Sequence, residues 1–136
     1  CGCGRKGCLE QYASATGLVR LAKRYFEKNT KNSILTGKEI TAKEVFDAAK
    51  AGDAAALEIT EEFGAYLGQA LVNLAATVDP AVFVIGGGVS KAGDILLETV
   101  RKYFYDHAFY GNQKTKITLA TLGNDAGIYG AAKQVL

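Results

Sequence analysis

The sequence predicts an α/β fold, rich in helix and carrying only part of a parallel sheet. Three observations predict it. Five stretches space their apolar residues as helices do, whereas only two short apolar runs read as strands. The second half runs strand, helix, strand, helix, the order of a parallel βαβ unit closed by one more helix. Of the 136 residues, 49% are hydrophobic, enough for a real core in one domain. Two strands for five helices leave the sheet unfinished, and the chain opens on Cys1 rather than Met. Residues 1–136 are therefore expected to be a single partial domain whose upstream portion is missing. Its parts are a cysteine loop (1–10), a helical part (11–80) and a βαβα part (81–136).

The first helix is expected to begin near Leu9 or Glu10 and reach about Lys28, with Tyr12, Leu18, Leu21, Ala22 and Tyr25 on its apolar face. Polar residues 29–38 read as a loop. Thr41 and Glu44 are spaced as a capping box for a short helix ending near Lys50. Gly52 and Asp53 stop that helix and open a longer one to about Val78. Its expected apolar face is Phe63, Leu67, Ala70, Leu71, Leu74 and Val78, and Gly64 and Gly68, one turn apart, would let a neighbour approach closely. Pro80 ends the pattern. Residues 81–85 (AVFVI) read as a buried strand, and Gly86, Gly87 and Gly88 turn the chain. A helix is expected from about Gly93 to Ala108, a second strand over 116–122, and a last helix to about Gln134 capped by Asn124 and Asp125.

Charge and composition narrow the partners. Sixteen Lys and Arg against fourteen Asp and Glu give a net charge of +2, with no run of like charges. A general attraction to nucleic acid or anionic membrane is not indicated. The most apolar passage, residues 70–89, is broken by Asn73, Asp79, Pro80 and three glycines, so it does not read as a bilayer span. The first residues do not read as a signal peptide, and a cytoplasmic location is expected.

All three cysteines lie in CGCGRKGC, with Gly2, Gly4 and Gly7 supplying backbone freedom for a tight loop. Cys1, Cys3 and Cys8 can converge on one ion, as three of the four tetrahedral ligands of a structural zinc. His107 is the sole histidine and lies in a distant segment, so the fourth ligand is expected upstream. A disulfide with a leftover thiol, or three unrelated cysteines, remain the alternatives; a reducing compartment disfavours the disulfide. Glu10 follows the cluster at once and, read by itself, complements the positive end of the first helix.

The glycine triplet lies between a strand and a helix. A ligand can lie against a backbone without Cβ atoms, and open α/β sheets bind ligands at the carboxyl ends of their strands. Tight strand–helix packing would explain the glycines as well. No Gly-Lys-Ser/Thr follows, so this is not a P-loop. Tyr103, Phe104, Tyr105, Phe109 and Tyr110 surround His107 and read as core or subunit interface rather than a base-stacking platform. His107 itself reads as structural. Asp94 and Asp125 stand where carboxylates cap helices, and the Lys and Arg of the first and fourth helices read as solvated faces.

CGCGRKGCLE matches the C-x-C-G-x-x-G-C-x-E signature of the ROK family (repressors, uncharacterised frames and kinases). QYASATGLVRLAKRY, VFVIGGGVSKAG and ITLATLGNDAGIYGAA are similar to the bacterial glucokinases of that family, so the resemblance runs from Cys1 almost to Leu136. It implies part of the C-terminal domain of an actin-like (ribonuclease-H-like) sugar kinase. It also implies an upstream histidine completing the zinc site, hydrogen bonds from Glu10 to sugar hydroxyls, and Gly86, Gly87 and Gly88 beside the adenosine of ATP. The implied reaction is phosphorylation of glucose by ATP with Mg2+, in a homodimer. The implied catalytic base, an aspartate, lies upstream, so these residues alone are expected to be inactive. A sugar-responsive repressor with an N-terminal helix-turn-helix, or a kinase for another hexose, is the rival that the same signature allows.

Overall fold

The computed structural model describes residues 1–135, the side chain of Asn124 excepted. Local capping signals set most helix starts. The Ser14 hydroxyl accepts from the Gly17 N–H to open α1 (Ala15–Lys28). At α2 (Ala42–Lys50) the expected capping box is complete: the Glu44 N–H donates to the Thr41 hydroxyl at 3.3 Å, and the Thr41 N–H to the Glu44 carboxylate at 3.1 Å. Asp53 opens α3 (Ala54–Val78), accepting from the Ala56 N–H at 2.9 Å. The same carboxylate accepts from the Ile34 N–H at 2.8 Å and the Ser33 hydroxyl at 3.0 Å, tying down the preceding loop. Strand β1 (Val82–Ile85), α4 (Asp94–His107), β2 (Lys116–Leu119) and α5 (Ala126–Lys133) follow.

Helix α3 is the axis of the core, with α1, α2 and α4 packed around it. Leu18, Val45, Ile59, Phe63, Leu96 and Phe104 are fully buried there. Gly64 and Gly68 do allow the close approach their spacing suggested. A Cβ at Gly64 would stand 2.8 Å from Thr99 Cβ, and one at Gly68 would stand 2.9 Å from Tyr103 Cβ. The two strands pair in parallel, from Val82 opposite Lys116 to Ile85 opposite Leu119, with α4 as the crossover. Phe83 meets Phe104 edge-on at 6.0 Å, which seats the sheet on α4. Among the described residues, no helix is long and apolar enough to cross a membrane.

Several expectations need correction. The first helix does not start at Leu9 or Glu10. Those residues form a 3-10 turn, Leu9–Gln11, and the chain then folds back so tightly that a Cβ at Gly17 would lie 2.7 Å from the Tyr12 carbonyl carbon. In α3, Leu74 and Val78 are exposed and Ala70 only half-buried. The buried stripe runs through Ala55, Ile59, Phe63, Leu71 and Ala75, because α4 docks on the glycine side. Strand β1 is buried only at Ile85; Val82 and Val84 are 45% and 60% exposed, since helices cover one sheet face alone.

The second strand stops at Leu119, just before Ala120 donates the last inter-strand bond to Ile85 at 2.8 Å; β1 offers no partner beyond. A 3-10 turn that begins at the last glycine of the triplet, Gly88–Ala92, precedes α4, so Gly93 holds the cap position and Asp94 lies inside the first turn. Asp125 precedes α5 without a side-chain capping bond, and the Asn124 side chain lies outside the described residues.

Among the aromatics, Phe104 is core, and the Tyr105 hydroxyl donates to the Thr115 carbonyl at 3.1 Å. Phe109 and Tyr110, in contrast, are 74% and 87% exposed. His107, exposed, stacks on Tyr103 with centroids 3.9 Å apart. The basic residues of α1 and α4 are exposed as expected, apart from half-buried Arg24, and several also have partners. Arg24 pairs with Glu62, Lys102 with Glu61 at 3.0 Å, and Arg101 Nε donates to the Ile117 carbonyl at 3.2 Å.

Candidate functional site

The opening turn brings the three cysteines together. Positive φ at Gly4 and Gly7 (72° and 74°) bends the chain twice, and the Gly4 N–H donates to the Cys1 carbonyl at 3.1 Å. Cys1 Sγ lies 2.8 Å from Cys3 Sγ, and Cys3 Sγ lies 3.3 Å from Cys8 Sγ. All three sulfurs fall within 4.8 Å of one another, and none is in a disulfide. Thiolates around one zinc at about 2.3 Å stand roughly 3.8 Å apart, so a small spreading of this cluster would accommodate the ion. The Arg5 backbone N–H, followed by the Cys8 thiol, holds the Cys3 thiol below its ordinary pKa, which favours the ligating thiolate. The donor set fits a tetrahedral thiophilic ion with one position to be filled from elsewhere.

Glu10 sits in the 3-10 turn directly after Cys8, exposed and projecting from an element braced against α1 and α3. Sequence reasoning missed its supports. The Gln11 side-chain amide donates to the Glu10 carboxylate at 2.5 Å, and Arg20 donates to both the carbonyl oxygen of that amide and the Gln11 main chain. The Gln11 amide thereby has its oxygen toward Arg20 and its NH2 toward Glu10. No periodic signal links positions 11 and 20, because the backbone reverses between them.

At the turn after β1, the three glycines do three different things. Gly86 makes an ordinary contact, its would-be Cβ 3.4 Å from Ala120 Cβ. Gly87 takes φ 79°, a conformation that strains any L side chain whatever space is available. Gly88 has open space where a Cβ would be and a cavity of about 370 Å³ beside it. Tight packing therefore does not account for the triplet. The cavity lies between α2 and the 88–92 turn, with Phe46, Val89 and Ala92 as apolar lining and Lys43, Asp47, Lys50 and Lys91 as charged lining. The Lys43 ammonium, hydrogen-bonded at 2.7 Å, holds the Asp47 carboxyl below the usual carboxylate range.

The structure thus gathers Cys1, Cys3, Cys8 and Glu10 at one locus and Gly86, Gly87 and Gly88 at another. A shallow groove of about 410 Å³ adjoins the cysteine turn, bordered by Tyr12, Tyr66, Gln69 and Asn73, and it shares no lining residue with the α2 cavity.

Comparison with known proteins places the chain in a family. The ROK family model matches residues 1–136. The glucokinase of Halalkalibacterium halodurans is 43% identical over 135 residues, which are 96% of this chain and 41% of that protein. The N-acetyl-D-glucosamine kinase of Vibrio cholerae is 33% identical over 132 residues, 97% of this chain and 40% of the other. Among solved structures, a ROK family glucokinase from Streptomyces griseus in complex with glucose and AMPPNP aligns with TM-score 0.87 and 37% identity, over 98% of this chain and 46% of its own. A ROK family transcriptional regulator, a homologue of the E. coli MLC protein, aligns with TM-score 0.70 and 28% identity over 88% of this chain and 30% of its own. The chain spans less than half the length of the curated relatives it matches.

Proposed function

This chain belongs to the ROK family, its fold that of the actin-like sugar kinases, and on that premise we propose that the full-length protein is an ATP-dependent glucokinase. The observation that carries the reading is the alignment of nearly the whole chain on a glucokinase holding glucose and a nucleotide at once. In the proposed reaction the 6-hydroxyl oxygen of glucose forms a bond to the γ-phosphorus of ATP. The bond from that phosphorus to the β,γ-bridging oxygen breaks, ADP departs, and the hydroxyl proton passes to a base outside these 136 residues. Phosphoryl transfer of this kind depends on positioning and charge neutralisation more than on covalent chemistry.

Each locus has a part. Glu10 accepts hydrogen bonds from two sugar hydroxyls, held in place by Gln11 and Arg20. Cys1, Cys3 and Cys8 hold a zinc ion whose fourth ligand comes from outside this chain segment; the ion supplies bracing for the turn that presents Glu10. Gly86, Gly87 and Gly88 border the adenosine, with the base in the cavity over Phe46 and Val89. Mg2+ accompanying ATP supplies charge neutralisation at the phosphates.

The likeness to the transcriptional regulator supports a second reading, a sugar-responsive repressor, and the Vibrio cholerae relative a third, an N-acetylglucosamine kinase. A coupled ATP-consumption assay of the full-length protein against glucose, fructose, mannose and N-acetylglucosamine separates them. Turnover strongest with glucose is the predicted result. Preference for another sugar would reassign the substrate, and no turnover with any sugar would leave the repressor.

A further inference from the structure

The cavity beside Gly88 combines an apolar floor with an excess of positive charge. Its rim carries three ammonium groups, Lys43, Lys50 and Lys91, against the single carboxylate of Asp47. Lys43 lies 2.7 Å and Lys50 lies 4.0 Å from that carboxylate, so both are directed at one partner on their own helix. Lys91 enters from the opposite wall and forms no ion pair among the described residues.

The segment that carries Lys91 is closed by hydrogen bonds. The Gly87 carbonyl accepts from the Ser90 N–H at 3.2 Å and from the Ser90 hydroxyl at 2.7 Å, and the Gly93 N–H donates to the Ser90 carbonyl at 3.1 Å. Gly87 and Gly93, at φ 79° and 74°, set the directions in which the chain enters and leaves this turn. Main-chain geometry therefore fixes the root of Lys91 at the cavity wall, leaving only its flexible stem to adjust. An uncompensated ammonium beside an apolar slot suits a ligand with a flat apolar end and a polyanionic end. Resting on the nucleotide reading above, we propose that Lys91 binds a phosphate of the nucleoside triphosphate while the base occupies the floor formed by Phe46, Val89 and Ala92. Nucleotide affinity is then set partly by the 88–92 turn itself.

The test uses the full-length protein with Lys91→Gln, Lys91→Arg and Gly88→Val. The readouts are KM for ATP and for glucose, and inhibition constants for ADP and adenosine. Loss of one charge-assisted bond to phosphate is expected to raise KM for ATP about tenfold in Lys91→Gln. ADP inhibition should weaken in parallel, adenosine inhibition and KM for glucose should not move, and Lys91→Arg should retain most of the affinity. Equal weakening of adenosine and ADP would overturn the phosphate role, because the substitution would then be acting on the base pocket. An unchanged KM for ATP in Lys91→Gln, together with a raised one in Gly88→Val, would overturn the role of Lys91 and keep the nucleotide beside the turn. Unchanged KM for ATP in both would remove the nucleotide reading along with it.

Discussion

Asp53 shows how much one side chain can organise. It caps α3 and also holds Ser33 and Ile34, so the loop before α2 hangs on the same carboxylate. Asp53→Ala is expected to destabilise the fold by about 2 kcal/mol, the upper end for loss of a cap, as read by denaturant unfolding. Burial pushes its carboxyl pKa up, but the Ala56 and Ile34 N–H groups and the Ser33 hydroxyl outweigh that and hold it below the ordinary value. A depressed folded pKa means the contribution is complete above about pH 3.9 and fades as pH falls through the folded value. Unfolding curves of wild type and Asp53→Ala should accordingly converge in acid.

Thr60 is the opposite case: a fully buried residue whose hydroxyl has no partner among the described residues. Thr60→Val should leave stability unchanged or raise it by about 1 kcal/mol. At the cysteine turn, elemental analysis of the full-length protein should find about one zinc per chain. Cys8→Ser should lower both the zinc content and the melting temperature. The convergence of Cys1, Cys3 and Cys8 was legible because their spacing lies within eight consecutive residues. The Gln11 and Arg20 supports were not, since a reversal of the chain joins them.

At the scale of elements, capping explains what was legible and packing what was not. Ser14, Thr41 and Asp53 act on N–H groups three residues away, so α2 and α3 begin where sequence signals put them, and only the 3-10 break displaced α1. Which face of α3 turns inward is decided by its neighbour. The glycines admit α4 on one side, leaving Leu74 and Val78 outside although their spacing is that of a core stripe. Gly64→Ala would drive a methyl group to 2.8 Å from Thr99 Cβ and 3.0 Å from the Thr99 main-chain carbon, which cannot yield as a flexible side chain does. A loss of about 1–3 kcal/mol is expected despite the helix-favouring alanine. Gly130→Ala in α5, with open space around it, should cost nothing and serves as the control.

At the largest scale, the sheet has two strands and one uncovered face among the described residues. Val82 and Val84 on that face, with Leu74 and Val78 on α3, are apolar surfaces that a protein seldom leaves to water. Expressed alone, these 136 residues are expected to self-associate as concentration rises, visible in sedimentation velocity, and to show no sugar-dependent ATP consumption. The βαβ order and the helix-rich partial sheet were readable from hydrophobic periodicity. The exposure of β1 was not, because an apolar run looks the same whether one sheet face or both are covered.

In the proposed function the cysteine turn serves the sugar and the glycine turn serves the nucleotide. The most direct test is steady-state kinetics of Glu10→Gln in the full-length protein, with KM measured for glucose and for ATP. The substitution keeps size and removes the acceptor charge, so KM for glucose should rise at least about tenfold while KM for ATP stays within about twofold. An unchanged KM for glucose, or an equal rise in both, would contradict the assignment.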